Sequence, residues 1–597
     1  MGPAKKGTDM WSTRAVCGVG FAMFVALPFL PVPGVWIEQI NYIGLYALAV
    51  IGLVLLTGIA GYLSMGQAPF MGVAAYSSAW VCLTYGLSPW LALPLSLVVT
   101  WAIAWFLGQV TLTMSAHYLP LATIAWGIAL YYLFGSSEAL GGHDGMSGVP
   151  PVSLLGTALI DARSFYWLIL GAVCLTLWGC HNLLDSQPGR AVRALKNGTR
   201  MPEAMGVNTW RVKVAVFILA ALIAGLAGWL YAHMLRGVSP EPFSLLQSVD
   251  FIVMLVVGGM THLGGAILGA AIVVVLKEQL KVVLPFLIGD SGHAEVIVFG
   301  VAVLLCLRFA PEGLWPVVRR LLPSRRRGGL ADAPALPNRR SAPVTGQPLL
   351  EVKELHKSFG GLTAVNGVSL KVAAGEIVGL IGPNGAGKST TFNLITGQLA
   401  PSSGEILLGG RPIAGLSPSD IAKLAVSRTF QHVKLVPDMT VLENVALGAY
   451  LRAKVGFVQA MLRLDRSIER QLLKEAERAL QRVGLQDLLH QPAGSLALGQ
   501  QRLVEIARAL CSDPELLLLD EPAAGLRALE KRALAKLLVQ LRNEGMAILL
   551  VEHDMEFVMQ LTDHIVVMVF GIKIAEGKPE GIQQDEAVLN AYLGEAA

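Results

Sequence analysis

Apolar runs of about 20 residues follow one another up to roughly position 315, and a helix needs about 20 such residues to cross the hydrocarbon of a bilayer. Only helices suit spans of this length, because every backbone N–H and C=O must be satisfied within the segment. Candidate spans lie at 15–31, 40–60, 69–88, 91–114, 117–134, 165–183, 212–234, 246–260, 262–283 and 294–311. Residues 1–318 are therefore expected to form a polytopic α-helical membrane domain of about ten spans. From 349 to 597 the text changes to a soluble α/β pattern, and an Arg/Pro-rich linker at 319–348 joins the two. A chain of 597 residues exceeds what one core can hold. The averages, 54% hydrophobic and 15% charged, hide two unlike halves.

Charge placement orients the spans. Arg190, Arg193, Lys196, Arg200, Arg211 and Lys213 crowd one loop, and Arg319, Arg320, Arg325, Arg326 and Arg327 follow the last span. Basic loops stay in the cytoplasm. The loop at 135–166 has Glu138, Asp144 and Asp161 against Arg163, and is expected to face outward. Ten spans with a cytoplasmic start satisfy all three assignments. Lys5, Lys6 and Arg14 before an apolar run imitate a secretory signal, but no small-x-small cleavage site precedes a soluble domain, so a retained first span is expected. The net charge of +4 does not indicate nucleic acid, and arginines beside a span favour anionic lipid headgroups. The six cysteines form no C-x-x-C pair and read as small apolar residues.

Glycines interrupt the pattern in three places. Gly61-Tyr-Leu-Ser-Met-Gly-Gln-Ala-Pro-Phe70 is either a discontinuous helix or an ordinary turn, and Gly141 to Pro150 either an outer gate or a turn. Gly258, Gly259, Gly264, Gly265 and Gly269 mark either a broken or re-entrant helix or close packing through small residues. The basic loop at 188–208 is either a short helix ending at a glycine, the natural contact for a nucleotide domain, or a solvated positive-inside loop. The linker composition, with Pro334, Pro337 and Pro343, cannot bury a core. No charged pair within the spans marks a pocket.

The soluble half carries Gly382-Pro-Asn-Gly-Ala-Gly-Lys-Ser389 after the apolar strand Glu376 to Gly382. Strand, then G-x-x-x-x-G-K-[ST], then helix is the context a nucleotide phosphate loop needs. Gly382, Asn384, Gly385, Ala386 and Gly387 let backbone N–H groups face the phosphates. Lys388 supplies charge, Ser389 a hydroxyl for Mg²⁺, and the helix running through Thr390 aims its positive end at the same anion. Leu516-Leu-Leu-Leu-Asp520 is a buried strand whose acid suits Mg²⁺, and Glu521 stands where it polarises an attacking water. A second such strand ends at Glu552-His553, with the histidine set near a γ-phosphate.

With these residues in place, the chain resembles the ATP-binding cassette (ABC) transporters. The resemblance makes Gln431 a second contact to Mg²⁺ and the link to the membrane domain, and Phe359 the aromatic that stacks on adenine. It makes Ala497, Leu498, Gly499 and Gln500 the signature loop that caps ATP on a partner subunit, with His553 the switch histidine. Two positions depart from the family pattern: Ala497 replaces the signature serine, and Arg527 replaces an acid in the loop after Glu521. The membrane half resembles the permease of branched-chain amino acid importers in Leu63-Ser-Met-Gly-Gln67, Gly145-Met-Ser-Gly148, Gly206 to Ala232 and Arg308-Phe-Ala-Pro-Glu-Gly313. The soluble half resembles that system's larger ATP-binding subunit, with the helical insertion from Arg452 to Arg482 and the ending Ala591-Tyr-Leu-Gly594.

The resemblance implies a fusion importing branched-chain amino acids across a bacterial inner membrane, with ATP and Mg²⁺ as cofactors. It also implies a second permease and a second ATP-binding subunit, or a second copy of this chain, and a periplasmic solute-binding protein. Urea or a short amide as solute, and an exporter or lipid flippase, stay open as alternatives. The short, Gly-interrupted spans weigh against the exporter.

Overall fold

The computed structural model describes residues 22, 24–114, 118–154, 156–288, 294–321, 332–339 and 346–593. Lys5, Lys6, Arg14, Cys17, most of the run at 15–31, Arg325, Arg326, Arg327 and Gly594 lie outside the described residues. The chain forms two compact bodies, Met1–Leu184 with Trp210–Arg327, and Asp185–Thr209 with Gly328–Ala597.

The helices of the first body are α1 (Gly34–Leu53), α2 (Gln67–Tyr85), α3 (Pro89–Thr111), α4 (Leu119–Ser136) and α5 (Ala162–Leu184). The chain then leaves for the second body, making α6 (Gln187–Leu195) and α7 (Arg200–Ala204). It returns as α8 (Thr209–Leu235), α9 (Leu245–Gly258), α10 (Leu263–Ile288), α11 (Ala294–Phe309) and α12 (Trp315–Leu321). The outer faces of α3 and α4 expose Leu91, Val98, Trp105, Phe106, Leu121, Tyr132 and Leu133. An apolar belt of that extent suits lipid, not water. Contacts gather several helix ends at one end of the bundle. Asn41 Nδ2 donates to Ala162 O at 2.9 Å, Trp90 Nε1 to Ser153 O at 2.7 Å, and the short strands Met146–Ser147 and Gly237–Val238 pair antiparallel.

About ten spans were expected. Among the described residues five helices are long and apolar enough to cross a membrane, or six when α9 and α10, bent by 117°, count as one broken span. The run at 40–60 begins earlier, at Gly34, and ends in a π-helical turn over Val54–Ile59. After an irregular stretch α2 starts at Gln67, so this segment is a discontinuous helix. In α9 and α10 both readings of the glycines hold. A Cβ on Gly258 would lie 1.9 Å from Gly265 O, and one on Gly269 1.8 Å from Met254 O, so the helices touch backbone to backbone beside the break.

The spans do hold a charged pair, one that sequence reading did not pick out. Lys277 Nζ of α10 lies 2.5 Å from Asp250 Oδ2 of α9. Sequence placed Lys277 near the end of a span closing at 283. The helix runs on to Ile288, which puts Lys277 in its interior, and the bend folds α9 back beside it.

In the second body, β1 (Pro348–Phe359), β2 (Leu362–Ala373) and β4 (Ser403–Leu408) form an antiparallel sheet in the order β2–β1–β4, extended by Arg411–Pro412. The larger sheet has the order β5 (Val426–Arg428), β6 (Leu516–Asp520), β7 (Ala547–Val551), β3 (Ile377–Ile381), β8 (His564–Val569) and β9 (Ile572–Gly577). It is parallel except for the β8–β9 pair. Strands β3, β6 and β7 are buried throughout, as all-apolar strands covered on both faces must be. Around the sheet stand α13 (Lys388–Ile395), α14 (Val441–Ala446), α15 (Arg466–Arg482), α16 (Leu498–Cys511), α17 (Ala528–Asn543) and α18 (Met555–Leu561).

The linker composition was expected to bury no core, yet part of it joins the core of the cassette. Leu336 is 5% exposed and belongs to the apolar cluster of α14, α15 and α16, with Leu442, Leu472, Ala476 and Cys511. Arg452 Nη2 donates to Leu336 O and Pro337 O at 3.2 and 3.4 Å. Arg339 takes Asp513 Oδ2 on its N–H at 2.7 Å, and its guanidinium donates to Ser512 O, Ala422 O and Lys423 O. Proline-rich backbone has few internal hydrogen bonds, so its free carbonyls at Leu336 and Pro337 are available to Arg452.

Candidate functional site

The phosphate loop hangs between β3 and α13. Gly387 has φ +95, and a Cβ there would sit 2.4 Å from Ala364 O; Gly385 has φ +79 and open space where its Cβ would be. The first glycine is demanded by packing, while the second leaves room for a ligand against the backbone. Lys388 is 6% exposed, and its Nζ donates to Gly382 O at 2.6 Å and Pro383 O at 2.8 Å. The ammonium is thus held inside the curl of the loop. Asn384, Gly385 and Ser389 are exposed, Ala386 is buried, and Thr390 is half-buried. Phe359 is 46% exposed at the end of β1, with Lys357 Nζ 5.1 Å from its ring centroid.

Beside the loop, Asp520 ends β6. Its Oδ2 lies 3.3 Å from Arg428 Nη2, while Oδ1 is buried without a partner. Burial pushes this carboxyl above the usual carboxylate range, and Arg428 pulls it part of the way back. Arg428 is itself fixed by Asn393 Oδ1 at 2.7 Å and Thr396 Oγ1 at 2.9 Å.

Three residues predicted from separate segments meet at one atom. Glu521 Oε1 accepts from Gln431 Nε2 at 3.0 Å and lies 3.0 Å from His553 Nε2. Glu521 has φ 50, a left-handed conformation costly for a residue with a Cβ, and its N–H is held by Val551 O at 2.8 Å.

The signature residues stand apart. Among the described residues no hydrogen bond joins Ala497, Leu498, Gly499 or Gln500 to the phosphate loop. They cap α16, where Gln500 Oε1 accepts from Ala497 N at 3.3 Å. Ala497 has no side-chain acceptor for the return bond that a serine would make. Leu498 is 55% exposed, and the Cβ of Gly499 would meet Glu530 Oε2 at 3.0 Å, so this loop packs on the segment around Gly525 to Glu530. Arg527 is exposed there.

Sequence reading missed three residues that hold this arrangement. Glu552, 3% exposed, accepts from Ala523 N at 2.6 Å and His553 N at 3.1 Å, tying the loop after Glu521 to the histidine turn. Arg502 of α16 donates to Phe430 O at 2.9 Å and Gln431 O at 2.5 Å. Arg428 anchors Asp520. Glu552 was legible as an acid closing an apolar strand; the arginines had no local signal.

The loop between α5 and α8 packs within this same body. Arg190 is buried and makes a two-pronged pair with Glu469 of α15, its second contact at 3.0 Å. Burial pulls the Arg190 guanidinium down, but Glu469 more than offsets this and holds it above the ordinary arginine range. Gln187 Nε2 donates to Tyr450 O and to Ala453 O, the latter at 2.9 Å. Arg193 Nη2 lies 3.2 Å from Glu443 Oε1, and Asn197 Nδ2 donates to Leu435 O at 3.2 Å.

Three family models match. Residues 365–524 match the ABC transporter model, 36–307 the branched-chain amino acid transport system permease component, and 573–597 the branched-chain amino acid ATP-binding cassette transporter model. The high-affinity branched-chain amino acid transport ATP-binding protein LivG of Escherichia coli is 46% identical over 253 residues, which are 42% of this chain and 99% of LivG. The corresponding BraF of Pseudomonas aeruginosa is 45% identical over 253 residues, again 42% and 99% of the two chains. A solved nucleotide-free ATP-binding cassette from an ABC transporter is 32% identical, covers 41% of this chain and 99% of its own, and has a TM-score of 0.37. An ATP-binding cassette that hydrolyses ATP for transport thus shares one polypeptide with a permease region, and the chain belongs to the branched-chain amino acid family of ABC transporters.

Proposed function

We propose that this chain imports branched-chain amino acids across a bacterial inner membrane, using ATP hydrolysed by its cassette. The carrying observation is the seating of the 185–209 loop on the cassette through Arg190–Glu469, Arg193–Glu443 and Gln187. That loop is continuous with α5 and α8, so a movement of the cassette face that holds it is transmitted directly to two spans. Its basic character agrees with a cytoplasmic cassette. ABC importers work with partner subunits and a substrate-binding protein. Here these are a second permease and a second ATP-binding subunit, or a second copy of this chain, with a periplasmic solute-binding protein delivering the solute. Lipid surrounds the spans, and nothing in the charge pattern calls for nucleic acid.

In this reading the β- and γ-phosphates lie on the N–H groups of 382–388, with Lys388 turned from its carbonyl partners toward them. Adenine stacks on Phe359. Glu521 gives up Gln431 and His553 as partners, accepts a hydrogen bond from water, and directs its oxygen at the γ-phosphorus. The water oxygen bonds to the γ-phosphorus as the bond from that phosphorus to the bridging β-phosphate oxygen breaks, the water's proton passes by way of Glu521 to the new phosphate or to solvent, and ADP and inorganic phosphate depart. His553 then lies by the γ-phosphate. The signature loop, remote from this chain's own phosphate loop, serves ATP bound to the partner cassette, with the N–H groups of Leu498 and Gly499 in place of the missing serine. The hydroxyl of Ser389, the amide oxygen of Gln431 and the carboxylate of Asp520 are hard oxygen donors that fit Mg²⁺, and the unpartnered Asp520 Oδ1 is the open valence among them. When bound, Mg²⁺ neutralises charge that develops on the phosphate oxygens.

The test is uptake of labelled leucine by proteoliposomes holding the assembled complex, with ATP inside and loaded binding protein outside. Accumulation that depends on both supports the assignment. ATP hydrolysis stimulated by a binding protein that ignores leucine and takes urea or an amide would overturn the solute, and hydrolysis indifferent to any binding protein would overturn import.

A further inference from the structure

We propose that the linker segment 332–339 is a second docking element, one that shapes the socket in which the cassette grips the 185–209 loop. This rests on the import reading above. The loop and the linker are the two stretches of chain that run from the spans into the cassette, and they fasten on shared elements. In the turn Leu447–Arg452, Tyr450 O accepts from Gln187 Nε2, as does Ala453 O just beyond it. A Cβ on Gly206 would lie 2.2 Å from Leu451 Cδ1, so the end of the loop presses on the same turn. Arg452, in the midst of these residues, serves the linker instead. Its Nη2 donates to Leu336 O and Pro337 O, and its Nη1 pairs with Glu475 of α15 at 2.9 Å. On α15 itself Glu469 holds Arg190, while Arg478 Nη2 donates to Ala333 O at 3.4 Å. The short helix Pro418–Lys423 is shared as well. Helix α7 of the loop packs against it, and Arg339 Nη2 donates to Ala422 O and Lys423 O, both at 2.9 Å.

Fastening alone would need only the linker's own anchors, which are Ser512 O, Asp513 Oδ2 and the apolar seat of Leu336. The further contacts all fall on elements that also hold the loop. Their effect is positional. A short helix leaves its last carbonyls without partners of its own, and Arg339 supplies two of them, which fixes the end of the helix that α7 rests on. Ala204 of α7, Ala422 of the short helix and Arg428 line one small cavity. Arg428 anchors Asp520, so the element that the linker holds lies between the loop and the nucleotide site. Coupling passes through packed elements that keep a defined arrangement. The linker need not be taut for this. It keeps the socket in one shape, so that a displacement of the cassette moves the loop and is not absorbed by the turn or the short helix.

The experiment replaces residues 332–339 of the full chain by a Gly/Ser segment of equal length, which keeps the leash and removes the grip. ATP hydrolysis by the assembled complex in proteoliposomes is measured with and without loaded binding protein. The ratio of stimulated to basal hydrolysis is expected to fall about fivefold or more, the low end of coupling between two sites, with basal hydrolysis near wild type. Leu541→Ala, which truncates a buried leucine of α17 outside the cluster of Leu336, supplies a variant destabilised elsewhere and should keep its ratio. An unchanged ratio in the Gly/Ser chain overturns the proposal and leaves a mere fastening. A fall as large in Leu541→Ala overturns it too, since general loss of stability would then suffice. If the Gly/Ser chain does not assemble, Arg339→Ala decides by the same ratio. Wild-type complex whose hydrolysis ignores the binding protein overturns the import reading instead.

Discussion

Glu521 occupies a left-handed backbone position with two side chains converging on one oxygen, and that strain is kept by Val551 O and by Glu552 beneath. If Glu521 aligns water, Glu521→Gln should lower phosphate release by about 10²-fold or more while ATP stays bound, read by single-turnover hydrolysis and nucleotide retention. Unchanged turnover would remove the residue from that role. Glu552 offers a pH test. Burial lifts its carboxyl above the usual range, with the N–H groups of Ala523, His553 and Asp554 drawing it down in part. A raised acid contributes stability below its unfolded value near 4.3, and this is lost as pH rises through the folded value. The unfolding temperature of the native protein minus that of Glu552→Gln should therefore fall as pH climbs from about 4 to 7; a flat difference contradicts it. The phosphate loop, Asp520, Glu521 and His553 were legible because strand, turn and acid are adjacent in sequence. Arg428, Arg502 and Glu552 act across 92, 71 and 29 residues, and such partnerships exist only once β5, β6, β7 and α16 are packed.

Two elements carry the link between halves of the polypeptide. In the 185–209 loop the Arg190–Glu469 pair is nearly dry. Removing one partner of a buried pair strands the other, so Arg190→Met should cost about 3 kcal/mol, and adding Glu469→Leu should recover most of it. A double-mutant cycle on cassette unfolding checks this, and additive losses would show that the pair is not coupled. The linker segment 332–339 is the second element. Leu336→Ala should destabilise the cassette by about 2 kcal/mol, the low end for a buried leucine at the margin of its cluster; no change would mean that the segment only rests there. The docking helix was legible from its basic residues and its place between spans. The linker was not, because composition counts Pro, Gly and Arg without seeing that one leucine and two arginines suffice to fasten it. The broken spans show the same limit. Hydropathy runs find apolar helices, but the π turn at Val54–Ile59 and the 117° bend depend on neighbours that touch backbone to backbone.

At the scale of the whole molecule, one chain brings one permease region and one cassette, and among the described residues no hydrogen bond joins the signature residues 497–500 to its own phosphate loop. In the proposed reading, two cassettes are needed for one complete nucleotide site. The fastened linker sets a further constraint. Only residues 322–331 separate the end of α12 from the segment held on the cassette, and ten extended residues with their flanking bonds reach at most about 40 Å. The cassette is leashed. Its own 185–209 loop meets it at an effective concentration in about the millimolar range, whatever the concentration of protein around it. While the two permease regions stay assembled, hydrolysis per molecule should thus hold steady on dilution if the partner cassette is leashed to a permease region in the same way, and should fall on dilution if that cassette is not covalently joined to a permease; the dilution curve of the purified complex reads out which. A cassette on so short a tether is also withheld from every other permease in the membrane, so this fusion removes the competition for shared ATPases that freely diffusing subunits must face.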